Sequence, residues 1–447
     1  MHIAVIGSGI SGLSAAWLLS KKHKVDLFEK DDRLGGHANT QDVMINGQSI
    51  SVDTGFIVYN EVTYPNLIAL FDHLNIASYA TDMSFSVSIN GGEHEYAGSN
   101  LASLFAQSSN LFRPSFLRML MDIRRFYAEA RIDAADPKND TLSLGTYLTE
   151  KKYGQSFKQD HLLPMGAAIW SMPAEKMLNF PFTSFIRFCD NHGLLQIKDR
   201  PKWRTVKDGS RQYVDRLAEQ ISGSITLNSK IELMERTPSG VSLHFRDGEN
   251  RNYDHVVLAC HSDQALRLLK THPNSMDQRE KDILANIRYQ NNVAILHRDK
   301  SLMPKRKKAW AAWNYLKKED EDASKLCVSY WMNRLQDLAT DEDIFVTLNP
   351  IQQPNQGDIL RTYLYSHPVF DAQAMQAQRD LWSLQGQNRT WYCGAYLGHG
   401  FHEDGLQAGL AVAERLGDVT RPWSLDNPSS RMHFPPSWNK IQSEAAQ

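Results

Sequence analysis

The stretch HIAVIGSGISG, residues 2–12, decides the fold that this sequence predicts. Residues 2–6 are largely apolar and predict a short buried strand, and the glycines after them have the spacing GxGxxG. We predict a helix over residues 13–20 and a second strand over residues 24–28. A lone GxGxxG is a weak signal. Between a strand and a helix, however, it favours a nucleotide-binding turn over a purely structural one.

Each glycine of this turn meets a different steric requirement. Gly7 allows the tight turn, Gly9 lets the backbone approach a pyrophosphate, and Gly12 lets the helix pack closely on the strand. Ile10 and Ser11 lie where the first backbone N–H groups point outward, at the positive end of the helix dipole. We therefore assign all five residues to a dinucleotide site.

The second predicted strand, residues 24–28, ends on an acidic side chain. Glu29 can accept hydrogen bonds from the hydroxyl groups of an adenosine ribose. Lys30 follows directly, and we assign it to the same nucleotide site.

Arginine and glycine recur soon after this acidic residue, as RLGG at residues 33–36 and DTG at residues 53–55. With the N-terminal turn, these motifs resemble a large FAD-binding family that includes amine oxidases, protoporphyrinogen oxidase and phytoene desaturases. The resemblance implies FAD as the cofactor, and we see no residue placed for a covalent link to it. It also assigns to the FAD site Arg33, Gly35, Gly36, Asp53, Thr54 and Gly55. A glycine-rich surface loop is the structural alternative.

A motif near the end of the chain supports the same cofactor. Residues 391–396, WYCGAY, predict a strand ending in a glycine, and residues 400–406, GFHEDGL, open a helix predicted over residues 406–416. In the resembled family, the strand contacts the diphosphate side. The helix points its positive end at the N1/O2 edge of the flavin, which stabilises the anionic reduced form. The resemblance thus adds Gly394, Glu403, Asp404, Gly405 and Leu406. Alternatively, the segment is only a helix capped by Asp404.

A third piece lies in the middle of the chain. Residues 224–228, Lys230 with Ile231, and residues 255–259 resemble the adenine-side strands of the same family, and Ile231 is assigned to the FAD site. We therefore predict an α/β fold, with a Rossmann-like FAD-binding domain of the glutathione-reductase type and an inserted α+β substrate domain. The predicted FAD-binding domain comprises residues 1–60, 205–265 and 386–425, the substrate-binding domain residues 61–204 and 266–385, and the C-terminal tail residues 426–447.

Composition excludes several other classes of protein. A net charge of −2 gives no reason to expect a nucleic-acid partner. The cysteines lack metal-type spacing, and we expect reduced thiols and no metal. No apolar run reaches the length of a membrane span. We expect a cytoplasmic protein, with peripheral contact at the inner face of the membrane left open. The sequence does not predict the oligomeric state.

The insertions contain two features that have both a structural and a functional interpretation. Phe180, Phe182, Phe185 and Phe188 recur at roughly helical spacing near Trp170, and such a stripe forms either core or the wall of an apolar tunnel to the flavin. Two basic and aromatic segments also stand out, residues 111–127 and 305–313. They form either a solvated basic face or a surface that docks on anionic lipid.

Six short motifs are shared along nearly the whole chain with one group of proteins. They are NHGLL at 191–195, RPKW at 200–203, DGSR at 208–211, AAWNY at 311–315, SHP at 366–368 and FHEDG at 401–405. This set resembles bacterial amine-oxidase-like FAD proteins often encoded beside cyclopropane fatty-acyl synthases, and the N-terminal region of plant cyclopropane synthases. The resemblance implies FAD and a lipid-modifying context. The chain departs from the pattern at Asp208, where a glycine is expected.

Two further departures concern catalysis. Amine oxidases usually carry a lysine, bridged by water to flavin N5, where a rough alignment places Asn292. They also place an aromatic cage residue where this chain has His402. The words "amine oxidase" therefore describe ancestry here rather than substrate.

We expect an FAD-dependent oxidoreductase that removes hydride from a C–H bond of an apolar substrate, with a fatty-acyl chain favoured. His402 is the predicted acid or base, because imidazole titrates near neutral pH; the alternative is a structural hydrogen bond that orients Glu403. His367 and Tyr396 are weaker candidates, and His192 is expected to be structural. Two other functions stay open: an amine or polyamine oxidase, and, from another class, a non-redox flavin-binding protein or flavin-dependent isomerase.

Overall fold

A parallel sheet assembled from three distant parts of the chain forms the first half of the protein. The structure is a computed structural model that describes residues 1–170, 174–196, 200–270, 276–318, 327–436 and 438. The sheet order is Ile225–Thr226, Lys24–Phe28, His2–Ile6, His255–Leu258 and Thr390–Tyr392, and each neighbouring pair is parallel. This sheet confirms the predicted α/β class. Within this sheet, His255–Leu258 is an inner strand between His2–Ile6 and Thr390–Tyr392.

The first and last helices pack tightly against each other beside this sheet. The first helix is Ile10–Leu19, three residues earlier than predicted, because Gly9 already has the extended conformation of an N-cap. Every residue of this helix is buried. The last helix, His402–Gly417, crosses it closely enough that a Cβ on Gly409 would lie 2.2 Å from the carbonyl oxygen of Ser11.

A second, mostly antiparallel sheet forms the other half. Its order is Ile359–Val369, Arg288–His297, Phe345–Leu348, Cys327–Trp331, Trp313–Lys317, Phe85–Ile89 and His94–Ala97. Trp313–Lys317 and Phe85–Ile89 pair in parallel, and the other neighbours are antiparallel. Smaller sheets join Ile231–Thr237, Gly240–Phe245 and Asn250–Tyr253; Thr40–Ile45 and Gln48–Asp53; and Tyr59–Asn60, Trp203–Val206 and Ser78–Thr81.

Helices cover both sheets. Those of the second half include Leu101–Leu104, Pro114–Ala134, Leu144–Glu150, Gln155–Phe157, Leu163–Trp170, Phe182–Asn191 and Met332–Leu335. The helices Arg211–Ala218 and Ser262–Leu269 accompany the parallel sheet. Within the described ranges, no helix is both long and apolar enough to cross a bilayer.

Each half has its own large hydrophobic core. The core of the parallel sheet also takes in side chains from the helices Pro65–Leu74, Gln278–Ala285 and Ala372–Leu381, which lie in the predicted substrate-binding segments. Phe434 and Trp438 of the tail pack on the same core, whereas residues 437 and 439–447 lie outside the described residues. The division into domains stays a prediction.

Candidate functional site

One large cavity joins the two halves. Its volume is about 1300 Å³. It opens at the carboxyl ends of the parallel strands, where ligands bind in open α/β sheets, and it extends to side chains of the second sheet. The candidate site therefore has a nucleotide end and a second end, the apolar lobe.

The glycine turn forms the nucleotide end. A Cβ on Gly7 would lie 2.8 Å from the carbonyl oxygen of Ala259, and a Cβ on Gly12 would lie 1.9 Å from the carbonyl oxygen of Gly7. Gly9 differs, because no atom lies within 4 Å of its Cβ position. Gly7, Gly9, Ile10 and Ser11 line the cavity, whereas Gly12 holds the helix against the turn behind it.

The acidic residue after the second strand fixes this turn. The Glu29 carboxylate accepts hydrogen bonds from the backbone N–H of Ser8, at 2.9 Å, and from the Ser8 hydroxyl, at 2.6 Å. The Arg33 guanidinium donates to the carbonyl oxygens of Leu34, Gly36 and Ala38 and so shapes the following loop. The predicted residues of this region that line the cavity are Glu29, Lys30, Arg33, Gly35 and Gly36.

The DTG motif divides into a structural and a cavity-lining part. Thr54 and Gly55 line the cavity, but Asp53 does not. The Asp53 carboxylate is buried and accepts hydrogen bonds from Thr40, Ser210 and the Gln336 amide. Asp53 thus ties the DGSR loop to the hairpin of Thr40–Ile45 and Gln48–Asp53 and to Gln336. In that loop, Asp208 has a φ of +61°, which is the left-handed conformation that glycine suits best.

Several residues of the C-terminal motif are buried behind the cavity wall and do not line the cavity. Ile231 and Gly394 line the cavity. The last helix begins at His402, not at residue 406, because the Asp404 carboxylate caps it by accepting from the backbone N–H of Phe401 at 2.8 Å. Four residues of this helix, Glu403, Asp404, Gly405 and Leu406, are buried and do not line the cavity, and their assignment to the FAD site stays a prediction.

Glu403 caps a different helix. Its carboxylate accepts from the backbone N–H groups of Asn66 and Leu67, at 3.0 and 2.9 Å, where the helix Pro65–Leu74 begins. It also accepts from the side-chain amides of Asn66 and Gln407. The helix dipole and these donors explain the buried carboxylate without a cofactor contact.

His402 lines the cavity at the start of the last helix. Its ring stacks on Phe56 with centroids 3.6 Å apart, and its Nε2 shares a hydrogen bond of 2.9 Å with the Tyr213 hydroxyl. It therefore does not orient Glu403. Burial lowers the pKa of His402 to about 3, so the imidazole is neutral at neutral pH and the expectation of titration near neutrality is corrected.

A chain of hydrogen bonds fixes the tautomer of His367. The backbone N–H of Val293 donates to Asn349 Oδ1, so the Asn349 amide nitrogen must donate to Asn292 Oδ1, at 2.7 Å. The Asn292 amide nitrogen then donates to His367 Nδ1, at 2.8 Å. Because Nδ1 accepts, the neutral ring carries its proton on Nε2. Burial lowers the pKa of His367 to about 4, so this neutral form prevails.

Three more histidines line the cavity and were not predicted from the sequence, namely His37, His261 and His399. The ring centroids of His37 and His367 lie 5.1 Å apart, and His37 Nε2 is buried with no hydrogen-bond partner among the described residues. Burial and the neighbouring His367 hold the pKa of His37 well below its usual value. The available signal was position, because His37 directly follows the RLGG motif.

Only one phenylalanine of the predicted stripe lines the apolar lobe. Phe188 and Trp170 line the cavity with ring centroids 4.5 Å apart, whereas Phe180, Phe182 and Phe185 are core. Other lining residues are Tyr64, Leu194, Trp203, Trp313, Tyr330 and Phe401. Every charged side chain among the described lining residues, histidines apart, lies at the nucleotide end, namely Glu29, Lys30, Asp31, Asp32, Arg33, Glu232 and Arg267.

Comparison with a family model gives a match over most of the chain. The model described as flavin containing amine oxidoreductase matches residues 10–337. A curated relative, an L-amino-acid oxidase of Bungarus fasciatus, is 23% identical over 310 residues, which are 66% of this chain. The chain spans 57% of the length of that relative.

Solved structures share the fold. Putrescine oxidase bound to putrescine superposes with a TM-score of 0.64 at 14% identity, covering 93% of this chain and 99% of that one. A fatty acid isomerase from P. acnes that produces CLA superposes with a TM-score of 0.63 at 14% identity, covering 93% and 98%. At these identities the likeness shows the fold alone.

Proposed function

The chain belongs to the family of flavin-containing amine oxidoreductases, and from this membership we propose that it is an FAD-dependent oxidoreductase acting on an apolar substrate, with a fatty-acyl chain favoured. The observation that carries the substrate class is the apolar lobe, where the described lining holds aromatic and aliphatic side chains and no carboxylate. An ammonium group buried there would lose its hydration with only the faces of aromatic rings to offset the loss, whereas an acyl chain has no such hydration to lose.

The nucleotide end fits FAD on its own geometry. The free side of Gly9 faces open space, and no described side chain caps the first helix, so its leading N–H groups are available to a diphosphate. Glu29 Oε1 accepts only the backbone N–H of Asp31 among the described residues, which leaves room for a ribose hydroxyl. When bound, FAD supplies a two-electron acceptor for the substrate.

The chain's own residues would prepare the substrate. The rings of the apolar lobe exclude water and align an extended chain. Phe56 and Tyr213 hold the neutral ring of His402 beside that chain, and we propose His402 as the catalytic residue. His367 presents the N–H of its Nε2 as a hydrogen-bond donor, in the tautomer that Asn292 fixes.

A prediction follows for the His367 tautomer. Asn292→Asp places a carboxylate beside His367 Nδ1, which favours the charged ring, so we expect the pKa of His367 to rise above its value of about 4. Titration of ¹⁵N-histidine-labelled protein by NMR measures this pKa and reports the Nε2-protonated tautomer in the wild type. Asn291→Asp is the matched control, because Asn291 lies next along the strand, is exposed, and accepts from Ser366 instead. Equal pKa values in both variants, or an Nδ1-protonated wild type, would contradict the hydrogen-bond chain.

Anaerobic mixing tests the substrate class. Unsaturated or methyl-branched fatty-acyl lipids should bleach the oxidised flavin band of the FAD-loaded protein, whereas primary amines and polyamines should leave it unchanged. Bleaching by an amine at micromolar concentration, with none by any lipid, would refute the acyl proposal.

A pair of variants ties that reaction to the lobe. Phe188→Leu enlarges the cavity wall and should change the chain-length preference of bleaching. Phe185→Leu lies three residues away in the core and should cost stability only, of the order of 1 kcal/mol. The same shift in preference in both variants would mean that Phe188 does not touch the substrate.

The favoured alternative is an amine or polyamine oxidase, which the L-amino-acid oxidase and putrescine oxidase relatives support by analogy. A flavin-dependent isomerase has the analogous support of the fatty acid isomerase structure. It would alter the acyl chain, seen by mass spectrometry, without net bleaching. A non-redox flavin-binding protein would do neither.

We also propose the finer subfamily, the amine-oxidase-like proteins encoded beside cyclopropane fatty-acyl synthases, on the six motifs given above. Several of them are structural here. Asn314 of AAWNY, for example, bonds Ser86, Ala311 and Ser329 in the core. If the acyl chain belongs to a phospholipid, the protein must reach it peripherally at a membrane surface.

A further inference from the structure

The long helix of the second half carries an unusual exposed apolar face. In the helix Pro114–Ala134, Leu117 and Met121 lie one turn apart on the outer side and are 41% and 65% exposed, while Phe116 and Met119 face the core. Just before the helix, Phe112 is 84% exposed. Exposed large apolar side chains that lie near one another are typical of an interaction surface.

Tertiary structure brings the second basic segment to the same place. The buried Glu95 carboxylate accepts from the backbone N–H groups of Lys305 and Arg306, at 2.7 and 3.1 Å, and from the Arg306 guanidinium. The backbone of Glu95 bonds the side chains of Gln107 and Asn110, which lie immediately before Phe112. One buried acid thus joins two segments that are about 200 residues apart in the chain.

The two segments together expose both large apolar and basic side chains. The apolar members are Leu101, Leu111, Phe112, Leu117 and Met121, and the exposed basic members are Arg118, Arg124, Lys305, Lys307 and Lys308. Leu101–Leu104 packs directly against Lys307–Ala309, which brings these lysines beside the exposed Leu101. Glu93 is an exposed acid at the neighbouring hairpin. We call this set the docking surface.

We propose that the docking surface binds an anionic phospholipid bilayer. Basic side chains near a bilayer are attracted by its negative surface potential, and exposed large apolar side chains enter the boundary between headgroups and acyl chains. The net charge of the whole chain is −2, so this group of basic side chains is a local feature and not a general excess. The inference rests on the proposed acyl substrate only for its purpose, since the surface is defined without the cavity.

Vesicle co-sedimentation of the FAD-loaded full chain tests the proposal. The wild type should bind phosphatidylcholine vesicles that contain phosphatidylglycerol, bind pure phosphatidylcholine vesicles at least about tenfold more weakly, and be released by high salt. Phe112→Ser combined with Met121→Ser should lower binding about tenfold or more, as should Lys307→Gln combined with Lys308→Gln.

Matched controls keep the test specific. Met44→Ser removes a methionine that is 66% exposed, against 65% for Met121, but lies on the hairpin strand Thr40–Ile45. Lys24→Gln combined with Lys281→Gln removes two exposed lysines elsewhere. Both controls should bind as the wild type does. Absence of wild-type binding, or equal loss in the controls, would overturn the proposal, and so would self-association through this face without vesicle binding, seen by analytical ultracentrifugation.

A second measurement separates this proposal from the proposed function. An acyl lipid dispersed in detergent micelles should bleach the flavin of the Phe112→Ser, Met121→Ser protein at the wild-type rate. If vesicles bind but no lipid bleaches the flavin, the acyl substrate is wrong and the docking surface stands. If micellar lipid bleaches the flavin but vesicles do not bind, the docking surface is wrong and the acyl substrate stands.

Discussion

Gly9→Val is expected to yield folded protein that contains no FAD. The protein leaves room for a side chain at this position, because no atom lies within 4 Å of the Cβ and Gly9 has an ordinary φ of −65°. The added methyl groups would instead occupy the side of the turn that faces the cavity, where the diphosphate needs close approach to the backbone. The purified variant should be colourless, with the circular dichroism and melting temperature of wild-type apoprotein.

Two other glycines serve as comparisons for this result. Gly12→Val should not fold, since its Cβ would lie 1.9 Å from the carbonyl oxygen of Gly7. Gly357→Val has open space around its Cβ but lies outside the cavity lining, so it should keep both the fold and the yellow colour. A full flavin spectrum in Gly9→Val would place the diphosphate elsewhere. Denaturation of the wild type should release all its flavin, as expected for a non-covalent cofactor.

His402→Phe is expected to slow flavin reduction by an acyl substrate about 10²–10³-fold while FAD stays bound. Phenylalanine keeps the stack on Phe56 but removes both ring nitrogens from the cavity. Loss of one aligned polar group at a reacting centre has an effect of about this size. Stopped-flow absorbance under anaerobic conditions measures the rate, and the flavin spectrum measures FAD occupancy.

Tyr213→Phe is the control for this variant. It removes the same buried hydrogen bond from the other side and leaves the imidazole in place, so it should cost about 1–3 kcal/mol of stability and only a few-fold in rate. The pKa of His402 is about 3, and the range from pH 5 to pH 9 lies about two units or more above it. In that range, the rates of the wild type and of Tyr213→Phe should therefore show no midpoint from His402. Equal rates in His402→Phe and wild type would leave His402 a packing residue.

Local sequence was sufficient for the nucleotide end. The strand His2–Ile6, the glycine turn and the strand Lys24–Phe28 lie within one short stretch, and at Gly7 and Gly12 the close backbone contacts leave no room for a side chain. Helix boundaries were less well predicted. The last helix starts at His402 because Asp404 caps it, and the motif alone does not show which of its acids caps which helix.

The motifs also did not show which of their residues line the cavity and which are buried behind it. Asp53 and Glu403 belong to the FAD motifs, yet both carboxylates are consumed by hydrogen bonds to distant parts of the chain. A buried carboxylate must find several donors, and those donors come from whatever elements pack around it. Their positions in the sequence give no warning of this.

The sequence by itself determined the parallel α/β half, FAD as the cofactor and the family, because these depend on short-range patterns of glycine, strand and helix. Only the tertiary structure decided that Phe188 lines the cavity while Phe185 is core, that Val293, Asn349 and Asn292 fix the proton of His367, and that Glu95 joins two basic segments on one surface. Each of these depends on contacts between residues far apart in the chain. Such contacts are set by how whole elements pack, and local periodicity carries no record of them.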